Sequence, residues 1–146
     1  MNALKVLTAD HDKVRGLFEQ FRSAKEASDA DRMRSLQKAI FDELDTHTRI
    51  EEDVFYPAVR ELDVEELTET VQESVQEHHV VKVLMREISD LKDDEIFAAK
   101  MTVLIENVEH HVDEEESEMF PDVRDHMDAE RLDDLGTELE AAKHNG

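Results

Sequence analysis

The sequence has no cysteine, and it has only three glycines and two prolines among its 146 residues. Without cysteine the chain cannot form a disulfide framework, a thiolate zinc site, a cysteine-bound iron–sulfur cluster or a thioether-linked haem. Such a chain tolerates a reducing compartment, and we expect a cytoplasmic location. Because glycine and proline are the usual breakers of regular structure, their scarcity leaves long stretches in which a helix can continue.

Long hydrophobic runs are missing as well. No apolar stretch approaches the roughly 20 residues that a membrane-spanning helix needs. Residues 1–5 lack the basic start and the apolar core of a secretory signal peptide. We therefore expect no membrane segment.

Positive charge is scarce: 17 lysines and arginines face 39 aspartates and glutamates, which gives a net charge of −22 at pH 7. Such a surface repels the phosphates of nucleic acids and of anionic lipids, so we expect neither nucleic acid nor membrane as a partner. A solvated acidic shell accounts for the excess, while a salt-rich habitat or the attraction of cations remains an alternative. The charge alone identifies no metal site.

Apolar residues recur at steps of three and four along the chain, and this spacing is typical of amphipathic helices. The predicted helices cover Leu4 to Phe21, Met33 to about Pro57, Leu67 to Ile88, Phe97 to about Pro121, and Asp128 to about Lys143. Ser28 or Asp29 is available as the N-cap of the second helix. Asp63, with Glu66 three residues later, predicts a capping box that opens the third helix.

Four long helices with short connections favour an all-α fold, an up-down-up-down four-helix bundle with a short fifth C-terminal helix along one side. The whole chain, residues 1–146, reads as a single domain with the bundle at about 4–124 and the last helix at about 128–143. We expect a monomer, with a dimer as the alternative.

An internal repeat divides the bundle into two similar hairpins. Residues 47–60 align without gaps to residues 111–124, so that His47, Glu51 and Pro57 match His111, Glu115 and Pro121. Each copy is preceded by a helix that carries its own histidine, and these histidines are His11 and His78.

The spacing within each copy places an imidazole and a carboxylate on one helical face, since residues four apart project in the same direction. In an up-down bundle the four histidines also fall at about the same depth, roughly 15 to 22 Å from one pole. The predicted metal ligands are therefore His11, His47, Glu51, His78, His111 and Glu115.

The alternative is a metal-free core in which these histidines are simply hydrogen-bonded. Two buried carboxylates without a cation would then cost several kcal/mol of desolvation. Imidazole and carboxylate ligands suit iron, manganese or zinc. A zinc site typically holds a single ion with four ligands, whereas six ligands that include two carboxylates suit a pair of ions. No histidine has a glutamate three residues before it, which disfavours a ferritin-type site.

The ordered pattern His11, His47-x3-Glu51, His78, His111-x3-Glu115 resembles the hemerythrin-type HHE cation-binding domain over about residues 4 to 124. This resemblance implies two iron ions joined by an oxo or hydroxo bridge. It also implies that the two glutamates bridge the irons and that the four histidines are terminal ligands. The expected small-molecule partners are dioxygen, peroxide or nitric oxide.

Two departures from the oxygen-carrying members of that family bear on function. Lys82 stands where they have a further histidine, and Glu115 follows His111 by four residues where their aspartate follows by five, a position held here by Glu116. A more open and more symmetric site should favour redox turnover over oxygen carriage. The first functional hypothesis is a di-iron protein that binds or senses dioxygen or handles iron. The alternative is an enzyme that decomposes hydrogen peroxide or handles nitric oxide.

The neighbours of the proposed ligands leave further alternatives open. His79 and His110 are interpreted as solvent-facing or as hydrogen-bond partners, with a fifth histidine ligand as the alternative. Glu52 and Glu116 share the repeat and are candidates to hydrogen-bond the ligands, although solvated carboxylates are the default interpretation. Tyr56 matches Phe120 in the repeat and is interpreted as a packing residue.

Overall fold

The structure, a computed structural model, describes residues 1–145, and these form helices without any strand. The helices are α1 (Ala3–Glu26), α2 (Ala30–Ile50), α3 (Tyr56–Glu61), α4 (Glu65–Ser89), α5 (Asp94–Glu114), α6 (Phe120–His126) and α7 (Ala129–His144). A π-helical segment, Glu51–Phe55, joins α2 to α3, and another, Glu115–Met119, joins α5 to α6. The predicted all-α fold with a fifth C-terminal helix is confirmed. No helix within residues 1–145 combines the length and the apolar character needed to cross a membrane.

The helix starts follow from short polar side chains that accept the first free backbone amides. Asn2, Asp29, Asp93 and Asp128 each accept a bond from an amide in the first turn of the following helix. Of the two N-caps proposed for the second helix, Asp29 is therefore the one used. Ser28 instead takes a left-handed conformation with φ of 53° in the preceding turn.

The predicted capping box at the third helix is wrong. The N-cap residue of α4 is Val64, which makes no side-chain cap bond, while Asp63 has a φ of 56°. The cause lies upstream, because α3 continues to Glu61 and the chain must reverse within three residues. Asp63 serves as the left-handed residue of this turn, a conformation that aspartate tolerates better than most residues.

The prolines do not end their helices as predicted. Pro57 and Pro121 lie at the first turn of α3 and α6, where the missing amide hydrogen is tolerated. The π-helical segment before each proline widens the turn: Tyr56 N–H donates to the Glu51 carbonyl, and Phe120 N–H to that of Glu115. This wider turn lets the helix pass a residue that cannot make the regular i to i−4 bond.

The core consists of two apolar clusters separated by a buried polar layer. One cluster surrounds Phe55, Val59 and Phe120 and includes the apolar stripe of α7. The other surrounds Phe18 and Phe21 at the opposite end of the long helices. Because both ends are apolar, any polar side chain between them is shielded from water on two sides.

The C-terminal helix α7 packs against the start of α1, as expected from its stripe of buried Leu132, Leu135 and Leu139. Gly136 faces the backbone of Met1 and Asn2 so closely that an added Cβ would collide with the Met1 carbonyl oxygen. This close approach brings the C-terminal end of α7 near the outer side of the polar layer.

Candidate metal centre

The structure brings together all six side chains that the sequence predicts as ligands. His11 comes from α1, His47 from α2, His78 from α4 and His111 from α5, and each π-helical segment contributes its first residue, Glu51 or Glu115. All six residues are at most 6% exposed. The polar layer of the core is therefore made of four imidazoles and two carboxylates.

The ligand atoms form a first group around α1 and α2. The Nε2 atoms of His11 and His47 lie 3.1 Å apart. His11 Nε2 is 3.1 Å from Oε1 of Glu115, and His47 Nε2 is 3.1 Å from Oε1 of Glu51. One ligand atom from each of these four residues fits within 4.8 Å of the others, a spacing that a single metal ion can span.

A second group mirrors the first around α4 and α5. The Nε2 atoms of His78 and His111 are 3.2 Å apart, and His78 Nε2 is 3.2 Å from Oε1 of Glu51. His111 Nε2 is 3.5 Å from Oε2 of Glu115. Both carboxylates thus contact both groups, so the geometry offers two candidate metal positions with two shared carboxylates.

The buried carboxylates fit a bound cation better than a metal-free core. Both Oε atoms of Glu51 and Oε1 of Glu115 have no hydrogen-bond partner among residues 1–145. Histidine Nε2 atoms face two of these oxygens at 3.1 to 3.2 Å, so without a metal the carboxylates depend on protons held by the imidazoles. A buried carboxylate left unpaired costs several kcal/mol or more. Nitrogen and oxygen donors that converge on one space, with acceptor oxygens otherwise unsatisfied, match the requirements of a divalent or trivalent metal ion.

A second set of carboxylates fixes the orientation of every imidazole. The Nδ1 atom of each histidine lies against one acidic side chain: His11 against Glu116 at 2.7 Å, His47 against Asp10 at 3.2 Å, His78 against Glu52 at 2.9 Å and His111 against Glu77 at 2.8 Å. A proton held on Nδ1 leaves Nε2 directed inward, as a metal-binding imidazole requires. We call Asp10, Glu52, Glu77 and Glu116 the outer carboxylates.

Sequence reasoning found half of this outer set. Glu52 and Glu116 were candidates because they share the repeat, and the hydrogen-bonding alternative is the one that holds. Asp10 and Glu77 were missed. The available signal was a second echo in the sequence, since an acidic residue directly precedes the first histidine of each hairpin. Each such residue contacts the other histidine of its own hairpin, a pairing visible only in three dimensions.

Basic residues neutralise three of the outer carboxylates. Arg15 contacts Glu116 at 3.0 Å, Lys143 of α7 contacts Asp10 at 2.6 Å, and Lys82 contacts Glu52 at 2.8 Å. Lys82 occupies the sequence position of the further histidine in oxygen carriers. Here its ammonium group supports an outer carboxylate instead.

While no metal is bound, the electrostatics of the layer raise the pKa values of His47, His78 and His111 and lower the pKa of Glu115. Burial lowers the pKa of His47, but Glu51 and Asp10 outweigh it and raise that pKa to about 10. Burial raises the pKa of Glu115, but His111 and His11 hold it well below the usual value. A metal ion would therefore take the place of protons on the inward Nε2 atoms.

Tyr56 does more than pack. Its hydroxyl donates a 2.6 Å hydrogen bond to Oε2 of Glu115 and lies 3.4 Å from Nε2 of His78. Phe120, its counterpart in the repeat, stacks on His11 and has no hydroxyl to offer Glu51. One oxygen atom thus breaks the symmetry of the site, and the signal for it was the Tyr–Phe difference between the two copies.

A small cavity adjoins the histidines on the side away from Tyr56. It has a volume of about 20 Å³, and its walls include all four histidines and Glu77. The other walls are Val14, Leu44, Thr48, Val81, Val108 and Val112. A cavity of this size accommodates one molecule about as large as water or a diatomic gas.

The histidines outside the layer are not interior ligands. His79 is exposed, and His110 is 69% exposed with its Nε2 2.9 Å from Oε1 of Glu114. The alternative of a fifth histidine ligand is therefore wrong for both.

Two glutamates follow His111 at four and five residues, and only the first of them faces the inward ligand atoms. Glu115 points inward, whereas Glu116 contacts His11 from outside.

Two known proteins are similar in sequence to this chain over most of its length. A DNA nickase of Nostoc sp. (strain PCC 7120) is 29% identical over 147 residues, which cover 98% of this chain and 39% of the nickase. An uncharacterized hemerythrin-like protein of Schizosaccharomyces pombe is 27% identical over 135 residues, which cover 92% of this chain and 65% of that relative. The chain thus spans less than two thirds of the length of either relative. No solved structure matches the chain.

The family is given by a match to the Hemerythrin HHE cation binding domain over residues 2–123. This range contains both hairpins of the repeat and the whole buried polar layer. The chain belongs to the hemerythrin HHE cation-binding domain family.

Proposed function

We propose that this chain is a non-haem di-iron protein that binds dioxygen or a related small molecule such as nitric oxide. The observation that carries the proposal is the pair of ligand groups that Glu51 and Glu115 both contact, with both oxygens of Glu51 and Oε1 of Glu115 lacking other hydrogen-bond partners among the described residues. In this proposal His11 and His47 hold one iron and His78 and His111 hold the other. The two glutamates bridge the irons, together with an oxo or hydroxo group.

The donor set and its arrangement support iron over zinc. All six donors are imidazole nitrogens or carboxylate oxygens, a set that suits iron and manganese as well as zinc. A zinc site typically closes with four ligands around one ion, whereas here Glu51 belongs to both groups and Glu115 contacts one histidine of each. Iron, when bound, would supply reversible electron transfer to a small oxidant.

The residues around the cavity determine what can approach the ions. Valines and a leucine form most of the wall beyond the histidines, and the hydroxyl of Thr48 in that wall donates to the Asp45 carbonyl. An apolar wall excludes bulk water and does not stabilise an anion. The cavity therefore favours a small neutral molecule, which supports binding of dioxygen or nitric oxide.

The alternative function is decomposition of hydrogen peroxide or turnover of nitric oxide. The feature that favours it is Lys82, which pairs with Glu52 where an oxygen carrier has a further histidine ligand. Four histidines divided equally between two ions leave both ions with an open position. A site open at both ions is better suited to turnover than to reversible carriage.

Iron content and optical spectra test the main proposal. The protein, loaded with Fe²⁺ without air and then desalted, should hold two irons per chain and develop a strong near-ultraviolet absorption on exposure to air. His78→Ala should lose iron, whereas the matched control His79→Ala, at the exposed neighbouring position, should retain both irons. A wild-type protein that holds fewer than two irons, or one whose spectrum does not change on exposure to dioxygen, would contradict the proposal.

Turnover of peroxide separates the two functions. Dioxygen release from hydrogen peroxide by the iron-loaded protein, lost in the His78→Ala variant, would favour the enzyme. A spectrum that returns to its starting form when dioxygen is removed, without peroxide consumption, would favour the binding protein.

We further propose a monomer in the cytoplasm without nucleic-acid partners, although one relative is named a DNA nickase. The supporting observation is the net charge of −22, which opposes the approach of a phosphate backbone. Fluorescence anisotropy with labelled duplex DNA at low salt should show no binding by this chain, and saturable binding would contradict the proposal.

A further inference from the structure

One of the four outer carboxylates lacks the basic partner that the others have. Arg15, Lys82 and Lys143 each contact one of them within 3.0 Å. Glu77 makes its only ion pair with His111, and no lysine or arginine of residues 1–145 lies against it. Three outer carboxylates therefore contact a basic side chain, and Glu77 does not.

The neighbours of Glu77 at the surface are an imidazole and a carboxylate, two side-chain types that commonly bind metal ions. His110 and Glu114 are four residues apart on α5, with His110 Nε2 2.9 Å from Glu114 Oε1, and Glu77 of α4 lies beside them. One ligand atom from each of the three residues lies within 4.8 Å of the others. A pair of His and Glu four apart is common on solvated helices, but here a third carboxylate from another helix completes the set.

We propose that Glu77, His110 and Glu114 bind a divalent cation at the surface, and that iron enters the interior site from this position. One imidazole and two carboxylates, with free positions for water, suit Fe²⁺, Mn²⁺ or Zn²⁺. The side chains of His110 and Glu114 are 69% and 45% exposed, so a hydrated ion reaches them directly. The bound ion supplies to Glu77 the positive charge that Arg15 and the two lysines supply elsewhere.

Glu77 connects this surface position to the interior. Its Oε1 atom is 2.8 Å from Nδ1 of His111, and the same residue lines the small cavity beside the four histidines. The strongly negative surface raises the local concentration of cations around the protein. An ion that leaves His110 and Glu114 can remain bound to Glu77, which already contacts the interior histidine His111.

The role in iron entry rests on the proposed di-iron function, but occupancy of the surface site can be tested without it. Equilibrium dialysis against Fe²⁺ without air should give three ions per chain for the wild type, two for His110→Ala and three for the control His79→Ala. Equal stoichiometry in wild type and His110→Ala would overturn the surface site. One ion in the wild type and none in His110→Ala would contradict the di-iron proposal and leave the surface site supported.

The rate of iron loading tests the entry role. With limiting Fe²⁺, the double variant His110→Ala/Glu114→Gln should load the interior at least about five-fold more slowly than wild type, since local cation capture raises association rates. Its final near-ultraviolet spectrum should equal that of the wild type, because no interior ligand is changed. His79→Ala should load at the wild-type rate. Loading of the double variant as fast as wild type would overturn the entry role.

Discussion

At the scale of single residues, the six inward side chains were predictable from the sequence, whereas only two of the four outer carboxylates were. His47 and Glu51 repeat as His111 and Glu115, and a repeated spacing of four fixes a shared helical face. Which residue contacts the back of each imidazole depends on how helices pack across the bundle. Glu52 illustrates this point, because it follows Glu51 in sequence but contacts His78 of the other hairpin.

The outer carboxylates should control metal affinity without binding the metal. Glu116→Gln removes the charged acceptor at His11 Nδ1, and we expect metal affinity to fall about 10- to 100-fold. Competition with a chromophoric chelator measures this change. Glu118→Gln, an exposed position in the same π-helical segment, is the matched control and should leave the affinity unaltered. Equal losses in the two variants would mean that surface charge, not the contact with His11, sets the affinity.

Tyr56→Phe should destabilise the metal-free protein by about 1 to 3 kcal/mol, since Glu115 Oε2 would lose a buried hydrogen-bond donor. Urea denaturation of the metal-free variant measures the change in the free energy of unfolding. Thr70→Val removes a more exposed hydroxyl that donates to the Glu66 carbonyl, and we expect it to change stability by less than about 0.5 kcal/mol. A Tyr56→Phe protein as stable as wild type would show that this hydroxyl contributes nothing to the layer.

At the scale of helices, existence and order were predictable, whereas the ends beside proline were not. Apolar periodicity located all five helical stretches, because burial of one helical face dictates that pattern. It could not reveal that a π-helical turn carries the chain past Pro57 and Pro121, since such a turn changes the hydrogen bonding without a sequence signature. The same turns begin at Glu51 and Glu115, so the unpredicted feature is also the one that positions both shared carboxylates.

The contact between α7 and the start of α1 gives a prediction at this scale. Gly136→Ala should destabilise the protein by about 1 to 3 kcal/mol, because the new methyl group collides with the Met1 backbone. Gly16→Ala is a matched control within a helix, where nothing lies within 4 Å of an added Cβ. It should stabilise the protein by about 0.5 to 1 kcal/mol through higher helix propensity. Thermal unfolding compares the two variants, and a shift of the same sign in both would refute the close packing of α7.

At the scale of the whole molecule, the polar layer divides the apolar core and couples folding to protons and metal. The metal-free layer balances buried acids with imidazolium groups, and a metal ion would replace those protons. The pKa values of His47, His78 and His111 are raised in the folded chain above that of free histidine: burial lowers each one, but nearby carboxylates outweigh it. Stability that comes from a raised histidine pKa is fully present below about pH 6.5 and is lost as pH rises through the folded value, about 10 for His47.

Metal binding should therefore stabilise the protein more at pH 8.5 than at pH 6. Metal binding releases protons from the Nε2 atoms of His47, His78 and His111, whose pKa values are raised. That release is opposed less at the lower proton concentration of pH 8.5 than at pH 6. The measurement is the difference in Tm between metal-loaded and metal-free protein at each pH, a difference in which the titration of the remote surface charges largely cancels. Glu118→Gln should reproduce the wild-type dependence, since it changes an exposed carboxylate and leaves the layer intact. If the difference in Tm were the same at both values, or larger at pH 6, the inward nitrogen atoms would not be the positions at which metal and protons compete.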